Sequence, residues 1–475
     1  MFSYLIKRLL FFIPTLWVIS VGTFFLSRLA PGDPVELLLK GETDTGNANI
    51  SDYESSKLLY RQVAAQLNQD KPLFYFSLAP VAYPDTLYAY VNREERKSIK
   101  NMIATFGNYR EISIYHRQIE KTLIATSKIA DSLKNEHLTS ITRILKNLFT
   151  AYRTEKIEFL LHELNEANKD SLVAATPVSA NINQIINDFD SVKSNATPYK
   201  NYIPGFKWYG THNQYHLWIS SFFAGNFGIS FSDGRPVSKK IWSALFWTII
   251  LNILAVLVAF AISIPTGVYL AVRRGKKTEK ILSVLLFILY SLPVFWIATM
   301  LLVFFTTPEY GMKIFKGIGL GDLPSGLSAL EKFWATIPYL ILPVFSLSYG
   351  ALAYISMQMK GGMIKALRAN YIRTARAKGL DEKTVIWKHA FRNALFPIIT
   401  LLASIFPGII AGSVVVEMIF NIPGMGRLTF ESIVGRDWPV VYTIVMFSAI
   451  MTMAGILVSD LLYSLADPRV TYKKR

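Results

Sequence analysis

Cations crowd one short stretch of the sequence. Arg373, Arg376 and Lys378 precede Gly379, and His389 and Arg392 follow it, with Tyr371, Thr374, Ala375, Leu380 and Asp381 between and around them. Charges in that pattern bind an acidic or anionic surface and make or break no bond by themselves. The other chemistries fall away one by one. The chain has no cysteine, which removes disulfides, thiolate zinc sites, cysteine nucleophiles and iron–sulfur clusters. His212 and His216 have the i, i+4 spacing that holds a metal on a helix face, yet no acid or third histidine stands beside them, so they read as solvated or packed on aromatic rings. No Gly-x-x-x-x-Gly-Lys-Ser/Thr loop is present to cradle ATP, and no Gly-x-Ser-x-Gly elbow or histidine within a long apolar stretch supports an intramembrane hydrolase. The expectation is a chain with no catalytic residue, no metal site and no cofactor of its own.

The elements that hold the cationic stretch are apolar. Of 475 residues 52% are apolar and only 17% charged, and the mean hydropathy is +0.31; a soluble chain is nearer a quarter charged. Crossing a hydrocarbon core takes about 20 apolar residues, and six stretches free of Lys, Arg, Asp and Glu qualify: 9–27, 241–272, 281–308, 333–359, 393–416 and 438–459. Each predicts a spanning helix, because a backbone in lipid must satisfy its own polar groups. The first follows Lys7-Arg8 but is too long for a signal peptide and meets Arg28 where cleavage needs a small residue. It reads as a retained anchor.

Charge orients these spans. The N-terminus, the loop from Arg273 to Lys280, the loop 360–392 and the tail to Arg475 carry twenty basic residues against five acids, whereas the two short loops on the other side carry five against six. Basic loops lie in the cytoplasm, so both termini are expected there. The net charge of +17 is thereby a topology signal, and no basic face remains for nucleic acid.

Between the first two spans lie about 210 residues, too many for a loop without structure. Apolar residues recur at helical steps: Ile112, Tyr115, Ile119, Leu123, Ala130 and Leu133; then Ile141, Leu145 and Leu148; then Ile157, Leu160, Leu161 and Leu164. The pattern predicts a helical bundle over 92–192, outside the cytoplasm. The domain plan is therefore an N-terminal span in 1–30, an extracytoplasmic segment 31–240 with an inserted helical domain at about 75–211, and a five-helix core 241–475 carrying the loop 360–393.

Within that loop, good helix formers run to Gly379, which readily takes the left-handed conformation that ends a helix. Asp381 can cap a second helix, with Leu380 and Val385 spaced as a hydrophobic staple. Tyr371, Ala375, Leu380, Val385 and Ile386 form an apolar edge. A basic interfacial helix drawn to anionic lipid is the plainer reading, but a rigid corner serves no purpose there. It suits a part that transmits a push.

The stretch 371–380 with His389-Ala390-Phe391-Arg392-Asn393-Ala394-Leu395-Phe396-Pro397 resembles the coupling loop of ABC importer permeases, in the dipeptide/oligopeptide branch. Supporting marks follow in order: Pro31-Gly32-Asp33-Pro34; Gly228-Ile229-Ser230 with Gly234-Arg235-Pro236-Val237; Ser291-Leu292-Pro293-Val294-Phe295-Trp296; Pro423-Gly424-Met425-Gly426-Arg427; and Asp467-Pro468-Arg469. Two differences stand out. Arg373, Thr374 and Ala375 replace the general Glu-Ala-Ala, a form similar to the peptide branch, and about 140 residues separate Leu73 from Gln214 where the family runs almost directly on.

The resemblance implies an all-α membrane protein with the six transmembrane helices of the type I importer permease fold, interrupted by a helical extracytoplasmic insertion between helices 1 and 2. It implies a permease subunit of the bacterial inner membrane that passes di- or oligopeptides inward. The implied partners are a second permease, two cytoplasmic ATPases that use ATP and Mg, an extracytoplasmic substrate-binding protein and membrane lipid. Tyr371, Arg373, Thr374, Ala375, Arg376, Lys378, Gly379, Leu380, Asp381, His389 and Arg392 become the residues that engage the ATPase. The resemblance says nothing of the insertion's role; a docking surface for the binding protein is the expectation adopted for it. Nickel chelates or another small solute are the alternative cargo. A proton-coupled carrier is a further alternative, though the spans hold few ionisable groups for a relay: only Glu417 and Asp460 sit at their edges.

Overall fold

The computed structural model describes residues 2–29, 33, 35, 39, 53–90, 93–133, 136–169, 173, 176–321, 326, 328–405, 408 and 412–466. Pro31, Gly32, Pro34 and Pro407, Asp467-Pro468-Arg469 and the basic tail lie outside the described residues. The chain divides into two compact units, Met1–Ala30 with Phe227–Arg475, and Pro31–Asn226.

In the first unit, four helices among the described residues are long and apolar enough to cross a membrane: Ile6–Leu29, Val237–Val272, Leu330–Leu367 and Trp438–Leu461. The third expected span is bent. Lys277–Ser291 and Val294–Thr306 meet at 96°, because Pro293 cannot continue the first helix and its ring pushes Leu292 into an extended conformation (ψ 132°). The fifth expected span is not one helix either. Its described parts are Phe391–Ala394, Phe396–Ile405 and Val414–Ile419, with Gly412 at φ +74° before the last piece. Ala394, Ile398 and Leu401 share an apolar cluster with Met359 and Met363, and Val416 and Ile422 share another with Leu251 and Leu340.

The centre of this unit is the contact between Val237–Val272 and Ala329–Leu367. The two run parallel. Ser263 Oγ donates to the Leu352 carbonyl at 3.2 Å, and further along a Cβ on Gly267 would stand 2.5 Å from the Met359 Cβ. Only glycine permits backbones this close. Ala329–Leu367 has 39 residues, about 58 Å at 1.5 Å per residue, so it outruns a bilayer core of roughly 30 Å. A Ser328–Glu331 capping box starts it, and Pro338 and Pro343 lie inside it. At the first and last helices, Arg8 pairs with Asp460 while Tyr442 Oη donates to the Ser27 carbonyl at 3.2 Å, which sets the two helices antiparallel.

In the second unit the expected bundle is present as Arg93–Phe106, Tyr109–Leu133, Glu136–Thr150, Thr154–Asn168 and Pro177–Ser194. Ile112, Tyr115, Ile119 and Leu123 are buried, as are Ile141, Leu145, Leu148, Ile157, Leu160, Leu161 and Leu164, in one core with Ile182, Ile185 and Phe189. The chain is not wholly helical. Strands β1 (Phe76–Pro80) and β2 (Pro204–Trp208) form an antiparallel ribbon at the two ends of the bundle sequence. Beyond the ribbon, Tyr209 N–H donates to Tyr75 O at 2.7 Å, Gln214 N–H to Pro72 O at 2.9 Å and Tyr215 N–H to Leu73 O at 3.3 Å. The two pieces that the insertion separates in sequence are thus rejoined in space.

Candidate functional site: the cationic elbow

The elbow follows directly on the long helix Ala329–Leu367, with only Arg368 and Ala369 between them. Its first arm is Asn370–Ala377. Gly379 at φ +77° closes that arm, donating from its N–H to Arg376 O at 2.9 Å, and Leu380 N–H reaches Ala375 O at 3.4 Å. Asp381 then caps the second arm by accepting from Thr384 N–H at 3.0 Å. The Thr384 side chain and its backbone N–H hold the Asp381 carboxyl below its ordinary pKa. The arm continues through Glu382–Thr384, a wider π-helical stretch Val385–Ala390, and Phe391–Ala394.

Two side-chain bridges fix the angle. Arg376 grips Glu382 with both ends of its fork, at 2.7 and 3.1 Å, the bidentate geometry that makes such pairs directional. Asn393 Nδ2 donates to Tyr371 Oη at 2.7 Å. Beneath them Ile372, Ala375, Val385, Ala390 and Ala394 pack on Met359, Met363 and Ala366 of the long helix and on Val268 and Ala271. The second arm lies so near that a Cβ on Gly362 would stand 2.9 Å from Ala394 O. Lys360 pairs with Glu279, tying the helix Lys277–Ser291 to the same end.

The apolar edge expected from sequence is divided. Ala375 and Val385 turn inward to the core, so Ala375 offers no surface to a partner, and the expected Leu380–Val385 staple gives way to different surroundings for the two residues. Tyr371, Leu380 and Trp387 remain 41, 40 and 45% exposed. Arg373, Thr374, Arg376, Lys378, Gly379, Asp381 and Arg392 are exposed around them, and His389 is half-buried. Sequence reading missed Glu382, Asn393 and Trp387. The first two act across six and twenty-two residues, spacings that no helix period reveals; Trp387 had a signal, an aromatic amid cations.

The glycine motif 423–427 sits at a different place in this unit. The fully buried Glu417 carboxylate accepts from Thr248 Oγ1 at 3.0 Å, Arg427 N–H at 2.9 Å and Ser413 N–H at 3.3 Å. A Cβ on Gly424 would lie 2.4 Å from its Cδ, which explains a glycine there. Asp437 likewise gathers the 228–236 turn, accepting from Phe231 N–H at 2.9 Å and Ser232 Oγ at 3.1 Å. In the other unit His212 is exposed and precedes the helix Gln214–Phe223, while His216 lies 3.0 Å from Tyr75 Oη and packs on that ring. The pair shares no helix face.

The family described as binding-protein-dependent transport system inner membrane component matches residues 263–472, a range that holds the whole elbow. The oligopeptide transport system permease protein AppB of Bacillus subtilis is 36% identical over 54% of this chain and 80% of its own length. The dipeptide permease DppB of Alkalihalophilus pseudofirmus is 33% identical over 54% and 81%, and the oligopeptide permease OppB of Haemophilus influenzae 34% over 55% and 81%. The chain belongs to this peptide-importer permease family. It is a multi-pass membrane protein and a permease subunit of an ABC importer. Within the matched region, the elbow combines exposed charge with a fixed backbone angle.

Proposed function

We propose that this permease forms half of a peptide path through the bacterial inner membrane, and that the elbow receives the stroke of a cytoplasmic ATPase. The observation that carries this is the rigidity of the elbow: two bridges and a buried base make it one piece with the helix Ala329–Leu367, so a push at Leu380 is delivered to the membrane core. In this reading Tyr371, Leu380 and Trp387 fill a groove on the ATPase, and Arg373, Lys378 and Arg392 meet acids at its rim. Arg376 is engaged with Glu382 and shapes the corner.

The path has six crossings, the third bent and the fifth broken, with both termini and the elbow cytoplasmic. The parallel run of the second and fourth crossings supports this count, because a chain can return to the same direction only after crossing back. A second permease, two ATPases burning ATP with Mg, and an extracytoplasmic binding protein complete the importer, with the bundle in 75–211 facing outward as a docking surface. Binding of cargo and nucleotide then shifts the core between inward and outward states. A photo-crosslinker at Leu380 in assembled importer tests the central claim. Capture of the ATPase from Leu380 and not from the buried Ile372 is expected; failure of Leu380 to capture it in transport-competent membranes ends the proposal.

A further inference from the structure

One face of the ribbon is apolar and uncovered. The register sets Phe76 opposite Trp208, Leu78 opposite Phe206 and Pro80 opposite Pro204, and strand alternation brings all six to one side. Leu78, Phe206 and Trp208 are 74, 64 and 66% exposed, and the Phe76 and Phe206 rings stack at 5.8 Å. Tyr199, Tyr202 and Ile203 are exposed just before β2. The opposite face is engaged within its own unit: Ser77 Oγ lies 2.9 Å from Tyr209 Oη, and Lys207 pairs with Asp85 at 2.8 Å.

The composition around this face identifies what covers it. Trp208 lies on this face, and Tyr199, Tyr202 and the half-buried Lys200 stand just before β2 in a stretch, 191 to 232, that carries no Asp or Glu; Lys193 and Lys207 are paired with acids of their own unit. Trp and Tyr settle at the water–lipid boundary, where an amphipathic ring finds both its solvents, and lysines are drawn to anionic headgroups that would repel acids. A bilayer is always within reach, since the segment is continuous in sequence with the apolar helices Ile6–Leu29 and Val237–Val272. We propose that the exposed ribbon face is a lipid-interface anchor, with Phe76, Leu78, Phe206 and Trp208 seated among the headgroups and upper acyl chains of a bilayer containing anionic phospholipid. This goes beyond the coupling role and does not rest on it.

The absence of cysteine allows one introduced thiol to carry a spin label. Leu78→Cys and Phe206→Cys, both at exposed positions, are placed singly in the full chain in nanodiscs of phosphatidylethanolamine and phosphatidylglycerol, with the exposed bundle position Glu163→Cys as aqueous reference. The ratio of oxygen to nickel-chelate accessibility should be several-fold above the reference at both ribbon positions, with or without the importer's binding protein. A ratio equal to the reference overturns the proposal. So does protection that arises only when the binding protein is added, which would make the face a protein interface.

Discussion

Gly379 offers the sharpest test of how the elbow is built. It sits at φ +77°, and a Cβ added there meets nothing within 4 Å. Any cost of replacement within this chain is therefore conformational. A left-handed backbone costs an L-residue roughly 1–2 kcal/mol; asparagine bears it better than most residues, and a β-branched residue is an outlier there. Opposing that strain are an exposed ion pair worth under about 1 kcal/mol, the Tyr371–Asn393 hydrogen bond worth about 1 kcal/mol, and the buried cluster below. The strain is thus too small to unfold the unit, and it shifts the equilibrium away from the bent elbow by about tenfold per 1.4 kcal/mol. ATP-dependent peptide uptake in proteoliposomes, normalised to inserted permease, should be near normal for Gly379→Asn, lower by a few-fold for Gly379→Ala, and lower by about tenfold or more for Gly379→Val. Equal uptake by Gly379→Val and Gly379→Asn would refute the reasoning. So would an Asn variant as inactive as the Val variant, since side-chain volume and not backbone handedness would then be at fault.

Three other outcomes follow from particular contacts. Reversing either charge of the Arg376–Glu382 pair should lower uptake while shifting stability by less than about 1 kcal/mol, and the double exchange Arg376→Glu with Glu382→Arg should recover uptake relative to either single change; no recovery would remove the pair from the corner. Gly267→Leu should force apart the two central helices, whose Met359 Cβ and Ser356 O stand 2.5 and 2.6 Å from the new Cβ, at roughly 1–3 kcal/mol; an unchanged melting temperature in detergent counts against that contact. His116, packed against Tyr115 and Phe149 with neither ring nitrogen hydrogen-bonded, has its pKa lowered by burial to about 4. The unfolded chain then takes up a proton below about pH 6.5 that the folded bundle refuses, so the bundle loses up to about 3 kcal/mol as pH falls from 6.5 toward 4. Hydrogen exchange across the bundle should show this loss, and His116→Phe should abolish it; equal acid sensitivity in both proteins would show that another group is responsible.

Local chemistry fixes what is periodic, and the sequence alone therefore determined the apolar helices, the bundle stripes, the glycine stop at Gly379 and the Asp381 cap. Helix period and capping depend on neighbours within a few residues, and the stripes Ile112–Leu123, Ile141–Leu148 and Ile157–Leu164 needed no more. The tertiary structure decided what depends on distant partners. It turned Ala375 inward and left Trp387 outside, because burial depends on where Val268, Met359 and Met363 stand. It clamped the elbow through Arg376–Glu382 and Tyr371–Asn393, broke the third and fifth apolar stretches at proline and glycine, and paired two proline-edged strands 124 residues apart (Pro80 with Pro204). A strand's partner is not written in its own alternation, and an ion pair across a corner has no period to betray it.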